Sequence, residues 1–333
     1  MPSLNRQAIL ERLHRLHREM RDHLHHQIKT SSIDHLARAT ALQGGDTIYE
    51  LDTRGEEILL PFCADWGREM PFILVAEGLP DGRERYGCAS DEEAQFVLLC
   101  DPIDGTRPLM YDKRSAWLLT GVAPNLSAEA NLSHIEIAMQ TELPTSKALY
   151  ADTVWATYGS GAHGYSENLL TNEKRMFTPR PSRATSIEGG FGMFAKFFIG
   201  SKGWLAELEE RLILEVLGPP GDGQPQTFDD QYISSGGQLY ELMTGRDRFN
   251  ADLRPLAHAT MFHTHSSRLC AHPYDLCTEL IAREAGVIVT DGMGAPLAVP
   301  LDVHYPVNWI AYANNDIQRQ VEPVLLRLLA EYQ

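Results

Sequence analysis

The stretch Cys100-Asp101-Pro102-Ile103-Asp104-Gly105-Thr106 decides the fold. An apolar run, Phe96-Val97-Leu98-Leu99, leads into it and predicts a buried strand. That strand delivers two carboxylates three residues apart. Pro102 fixes φ and lacks a donor, so the strand is expected to end there. Gly105 permits backbone conformations that other residues resist. Such a turn can bring two carboxylates, the Ile103 carbonyl and the Thr106 hydroxyl into one small volume. Hard divalent cations such as Mg²⁺ bind oxygen sets of this kind, and like charges held so close are costly without a cation. The alternative is an ordinary strand exit, because Asp, Pro and Gly are common turn residues.

A second stretch lies about 170 residues downstream, and two motifs in order are more specific than one. It runs from Tyr274-Asp275-Leu276-Cys277 to Glu284-Ala285-Gly286-Val287-Ile288-Val289-Thr290-Asp291. Together with Asp101-Pro102-Ile103-Asp104-Gly105-Thr106 it resembles the inositol monophosphatase superfamily, a group of Mg²⁺-dependent, lithium-sensitive phosphatases. With weaker matches between, the resemblance covers roughly residues 45 to 330. It implies an α+β or α/β fold, a layered αβαβα sandwich of the inositol monophosphatase and fructose-1,6-bisphosphatase type. An N-terminal lobe over residues 1–182 would carry most metal ligands, and a C-terminal lobe over 183–333 would supply Asp275.

Bulk properties agree with a large globular enzyme. The chain has 333 residues, a hydrophobic fraction of 43% and a formal net charge of −16 from 45 acidic and 29 basic residues. A surface that acidic repels a phosphodiester backbone, so a nucleic-acid polymer is excluded as a partner. A small anionic substrate is not excluded, because bound cations invert the local field. No apolar run reaches the ~18 residues of a membrane span, and the N-terminus lacks the apolar core of a signal peptide. The five cysteines form no CxxC pair, which points to a reducing compartment; a cytoplasmic protein is expected.

Taken in order, residues 5–29 have the spacing of an amphipathic helix, with Ile9, Leu13, Leu16, Met20 and Leu24 on one face. Its histidines, His14, His17, His23, His25 and His26, are read as a helix face with incidental histidines, a His-rich metal module being the weaker alternative. Residues 30–45 predict a loop. Asp52 is placed to N-cap a helix over 53–65. Phe72 to Ala76 is the next buried strand, and Glu77 ends it where ligands of α/β proteins gather. Strands are expected at 116–122, 133–140, 147–151 and 153–158, and irregular chain at 160–188. Helices are expected at 192–200, 204–217 and 234–244, with a loop at 219–223. Ser234-Ser235-Gly236-Gly237 is either a plain N-cap or a ligand-admitting helix start. His258, His263, His265 and His272 fall in an insertion over 253–272. Strands at 287–290 and 309–313 and a helix over 316–331 close the chain.

The resemblance assigns roles residue by residue. Asp101 would bridge two cations, with Glu77 and the Ile103 carbonyl completing one site and Asp104 and Asp275 the other. Two or three Mg²⁺ ions are implied, with Mn²⁺ as a substitute and Li⁺ inhibitory. Asp52 would orient Thr106, and Thr106 with Glu77 would deprotonate the attacking water. Gly105 and Thr106 amides would hold phosphate; Ser234, Ser235 and Asp252 would line the substrate site. Family members commonly form homodimers. This chain departs from the pattern in two places. It has Ala76-Glu77-Gly78 where Gly-Glu-Glu is usual, and Arg107-Pro108-Leu109-Met110-Tyr111-Asp112-Lys113-Arg114 where Asn-Phe is usual. Arg107, Lys113 and Arg114 are either loop charges or contacts to a second anionic group. The implied activity is a phosphomonoesterase acting on inositol phosphate or a related sugar or nucleotide phosphate. The alternatives are a fructose-1,6-bisphosphatase, a 3′-phosphonucleotide phosphatase, or a non-catalytic relative that binds without turnover.

Overall fold

The computed structural model describes residues 4–43, 46–221, 224–263 and 269–332. His265 and the loop residues Asp222 and Gly223 lie outside them. The chain opens with helix α1 (Arg6–Thr30), whose apolar stripe from Ile9 to Leu24 is fully buried. A short helix α2 (Ile33–Leu36) and a hairpin of β1 (Ala39–Gln43) and β2 (Asp46–Tyr49) follow, where a loop was expected. Helix α3 (Glu50–Gly67) packs beside α1.

The first sheet is built from β3 (Phe72–Ala76), β4 (Arg83–Tyr86), β5 (Phe96–Asp104), β6 (Ala116–Pro124), β7 (Ile137–Leu143), β8 (Tyr150–Thr157), β9 (Ala162–Asn168) and β10 (Lys174–Phe177). Helix α4 (Thr106–Met110) sits between β5 and β6. The sheet has eight strands in the order β10-β9-β8-β7-β6-β5-β3-β4. The second sheet holds β11 (Gly190–Phe194), β12 (Thr227–Phe228), β13 (Asp247–Asp252), β14 (Ile288–Asp291) and β15 (Trp309–Tyr312), in the order β12-β11-β13-β15-β14. Helices α5 (Lys202–Leu217), α6 (Ser235–Met243), α7 (Arg254–Phe262), α8 (Glu279–Ala285) and α9 (Asn315–Ala330) complete the chain.

Burial makes layers of these elements. Helices α1 and α3 cover one face of the large sheet through Leu13, Leu16, Trp66, Phe72 and Phe96. Helices α6 and α8 fill the space between the sheets through Leu239, Leu242, Leu280 and Ile281. Helices α5 and α9 close the far face of the small sheet through Leu208, Leu212, Val321 and Leu325. The expected αβαβα sandwich is the observed architecture. His17, the one histidine fully inside the α1 layer, is held between the hydroxyls of Thr141 at 2.9 Å and Thr120 at 2.8 Å. Burial drives its pKa well below the usual value, which suits a neutral structural imidazole.

Several local expectations are corrected. Strand β5 does not stop at Pro102 but runs to Asp104 through a bulge, since Asp101 pairs with Leu119 and Asp104 with Trp117. Ser133 lies in a 3₁₀ turn, and Asp152 sits inside the continuous strand β8. Strands β9 and β10 occupy the region expected to be irregular. The segment from 190 is strand β11, parallel to β13, where a helix was expected. A 3₁₀ turn, Pro273–Leu276, and not an α-helix, carries Asp275.

Candidate metal centre

The bulge in β5 is what aims the acids. Two residues, Pro102 and Ile103, separate the paired positions Asp101 and Asp104, and both acidic side chains end up buried, Asp104 against the start of α6. Gly105 follows with φ 100°, a conformation that strains any other residue. A side chain there would also approach the Ile233 carbonyl at 3.1 Å and Ser234 at 3.2 Å. Asp275 arrives from the 3₁₀ turn, where Pro273 pre-sets the backbone and the Asp275 carboxylate accepts the His272 N–H at 2.6 Å. Ligand oxygens of Asp101, Asp104 and Asp275 all lie within 4.8 Å of one another.

Electrostatics single these residues out. Burial, then Asp104, Asp275 and Glu77, hold the Asp101 carboxyl well above the usual range. Burial and then Asp275 push Asp104 up to about 8, against hydrogen bonds that favour its ionised form. Those bonds come from α6: the Ser234 hydroxyl at 2.8 Å, the Ser235 amide at 3.3 Å and the Gly236 amide at 2.6 Å. The start of α6 therefore receives a protein carboxylate at its positive end. Ser234 is also its N-cap, accepting the Gly237 N–H at 2.9 Å. Gly236 is required here, because a Cβ would stand 2.9 Å from the Asp104 carboxylate and 2.5 Å from Leu119. The small-residue run of the sequence was the signal for this cradle, but not for its occupant.

Among the described residues no lysine or arginine lies within ion-pair distance of Asp101 or Asp104, and Asp275 has only His272 at 3.7 Å. Burial would depress His272, but Asp275 and Cys270 outweigh it and raise its pKa to about 10. The imidazole stacks on Tyr274 at 5.6 Å. The donor set is all oxygen and crowded, and among the described residues its cationic neighbour His272 reaches Asp275 but not Asp101 or Asp104. The set fits a hard divalent ion.

The remaining candidates fall into two groups. Asp52 is not an N-cap; it stands at the third position of α3 and accepts the Tyr49 N–H at 2.8 Å. Its other oxygen accepts the Thr106 hydroxyl at 2.8 Å, and that hydroxyl also lies 2.9 Å from the Ile103 carbonyl. The Asp52–Thr106 pairing is thus present. Glu77 stands exposed at the end of β3, outside the three-acid cluster, and its charge reaches Asp101. Gly78 follows with φ 88°, so a second glutamate there would be held in a strained backbone conformation. Asp252 is corrected more strongly. It is fully buried, and the Arg254 guanidinium grips both its oxygens, so it is not open to a substrate hydroxyl. Arg254 lies beneath the rings of Phe197 and Phe198, at 4.5 and 5.5 Å. Arg107 stands 5.4 Å from the same Phe198 ring, whereas Arg114 pairs with Asp230 and Glu241.

No family model and no curated protein matches the sequence. Solved structures do match the fold. A fructose-1,6-bisphosphatase of Leishmania major, in holo form, aligns with TM-score 0.68 and 14% identity over 99% of both chains. The extragenic suppressor protein suhB of Bartonella henselae aligns with TM-score 0.65 and 16% identity, over 96% of this chain and 98% of that one. An IMPase of Thermotoga maritima gives TM-score 0.61 and 18% identity over 98% and 100%. The chain has the fold of the inositol monophosphatase and fructose-1,6-bisphosphatase structures. No described helix is long and apolar enough to cross a membrane.

Proposed function

We propose that this chain is a divalent-metal-dependent phosphatase of the inositol monophosphatase superfamily, acting on a small phosphate ester. The observation that carries the reading is the convergence of Asp101, Asp104 and Asp275 within 4.8 Å, with no lysine or arginine among the described residues in ion-pair reach of Asp101 or Asp104. These three, with Glu77 and the Ile103 carbonyl alongside, would hold Mg²⁺ or Mn²⁺. When bound, such ions lower the pKa of water and neutralise charge on the transferring phosphoryl group.

The chain's own residues then have distinct tasks. The start of α6 orients Asp104 through three donors, which favour its ionised form once a cation offsets burial and Asp275. Asp52 accepts the Thr106 proton at 2.8 Å, so the Thr106 oxygen keeps a lone pair turned outward for a water's proton. Glu77 is the nearby second acceptor. The Gly105 and Thr106 amides, at the turn opened by the φ of 100°, would receive phosphate oxygens. No covalent phospho-enzyme is needed.

The substrate differs from a bare polyol phosphate in how it is held. Asp252 is neutralised by Arg254 and so offers no free carboxylate to a ring hydroxyl. Phe198, with Arg107 5.4 Å from its ring, forms an aromatic wall instead. A sugar bisphosphate or a phosphonucleotide suits that wall better than inositol phosphate. The test is a panel of sugar, inositol and nucleotide phosphates with Mg²⁺, repeated with Li⁺ and with Asp101→Asn. Mg²⁺-dependent phosphate release that Asp101→Asn abolishes is the expected outcome. Full activity in that variant, or no release from any ester, refutes the proposal.

A further inference from the structure

One side chain fastens both ends of the stretch between β13 and the turn that carries Asp275. Asp252 ends β13, Arg254 opens α7, and the chain comes back at Leu269, just upstream of Pro273–Leu276. The Arg254 guanidinium divides its donors between the two ends. Nε and Nη2 grip the two oxygens of Asp252, Nε at 2.8 Å, in the planar fork that suits a carboxylate. Nη1 donates instead to the Leu269 carbonyl at 2.9 Å. The fork fixes the plane of the guanidinium, so this third donor has a fixed aim. Arg254 is only 5% exposed, with the rings of Phe197 and Phe198 at 4.5 and 5.5 Å from it.

The path from Leu269 to the metal centre is short. Ala271 bridges to Val307 and accepts its N–H at 2.8 Å. The His272 N–H then goes to the Asp275 carboxylate at 2.6 Å. The same segment receives the other end of the stretch: Asn308 accepts the Leu256 N–H at 3.0 Å, and Trp309 pairs with Asp252 in register. Asp275 itself stands in a 3₁₀ turn of 4 residues, too short to fix its own place. Neutralising Asp252 does not require this arrangement. A buried ion pair is commonly no more stable than apolar residues of the same volume, and a lysine would also supply the charge. A lysine has no planar fork, so it cannot hold both Asp252 oxygens and the Leu269 carbonyl in one fixed geometry.

We infer that Arg254 is a positioning residue for the metal centre: footed on Asp252, it sets the return of the chain at Leu269 and thereby the place of the Asp275 carboxylate. The inference rests on the reading of Asp275 as a metal ligand. Arg254 touches neither ion nor substrate in this role; it acts through the backbone.

The test compares two variants that leave no unpaired buried charge. Arg254→Lys keeps the charge and loses the fork. Asp252→Asn combined with Arg254→Met removes both charges together. Circular dichroism and melting temperature report whether each folds. Amide hydrogen exchange over residues 269–275 is followed in the metal-free proteins, and Mn²⁺ affinity is read from the free ion by electron paramagnetic resonance. Both variants should exchange about tenfold faster over 269–275, with the amides of β5 and α6 unchanged, and should bind Mn²⁺ about tenfold more weakly. A role confined to charge balance predicts wild-type exchange and wild-type affinity in both. Wild-type exchange over 269–275 in either folded variant, or wild-type Mn²⁺ affinity in both, overturns the inference. So does faster exchange spread over β5 and α6, or failure of both variants to fold, since either marks a general structural role. If the wild type itself takes up no Mn²⁺, the proposed function falls and the exchange comparison alone decides whether Arg254 sets the return of the chain.

Discussion

Two buried acidic assemblies lie close together in this molecule and are built on opposite plans. Asp252, at the end of β13, is fully buried and gripped by Arg254, which is itself buried. Asp101, Asp104 and Asp275 are as crowded as any carboxylates in the chain, yet no lysine or arginine among the described residues comes within ion-pair reach of Asp101 or Asp104. The first assembly carries its own counter-charge and is complete. The second has no such counter-charge on Asp101 or Asp104, and the proposed divalent ion would supply it. Burial alone therefore does not mark function; burial without compensation does.

The comparison breaks most visibly under substitution. Arg254→Met leaves an uncompensated charge on Asp252 and should cost about 3–5 kcal/mol of stability, read as a lower denaturation midpoint. Asp101→Asn should act the other way on the metal-free protein, raising its midpoint by relieving repulsion from Asp104 and Asp275. If both variants destabilise the metal-free protein equally, the two assemblies are not different in kind.

Dependence on pH sharpens the same contrast. Asp104 has a folded pKa of about 8, above its ordinary value of 3.8. An acid raised in this way holds its proton more tightly when folded. Its contribution to stability is present in acid and is lost as pH rises through about 8. The metal-free protein should lose stability from pH 5 to pH 8, and the increment added by Mg²⁺ should grow over the same range as protons are displaced. A shallower profile in Asp104→Asn, with Asp101 still titrating, would tie part of the effect to this group.

Smaller effects test the supports. Gly236→Ala forces a methyl against Asp104 and Leu119 and should cost about 1–3 kcal/mol, together with weaker metal binding. Thr106→Val removes the hydroxyl shared by Asp52 and the Ile103 carbonyl, at about 1 kcal/mol of stability, with turnover reduced more than binding.

Much of the candidate metal centre was legible in the sequence. Asp-Pro-Ile-Asp-Gly-Thr behind an apolar strand, with Asp275 far downstream, named the three acids that converge. The Asp52–Thr106 bond was also expected, although Asp52 sits three residues deeper in its helix than an N-cap. What escaped were features fixed by tertiary pairing. The run from Gly190 is short and apolar without alternation, and only parallel pairing with β13 makes it a strand. Asp252 and Arg254 are two residues apart, the spacing of one strand face, but Asp252 ends β13 and Arg254 opens α7, so no periodic pattern spans the pair. The occupant of the α6 start is a carboxylate 130 residues away in sequence, which no local pattern reveals.

The central claim is tested most directly by titrating Mn²⁺ into the purified protein at pH 8 and following the free ion by electron paramagnetic resonance. The account predicts that the wild-type chain withdraws at least one ion per molecule, and that Asp101→Asn combined with Asp275→Asn, still folded, withdraws none. Equal uptake by the two proteins, or none by the wild type, would contradict it.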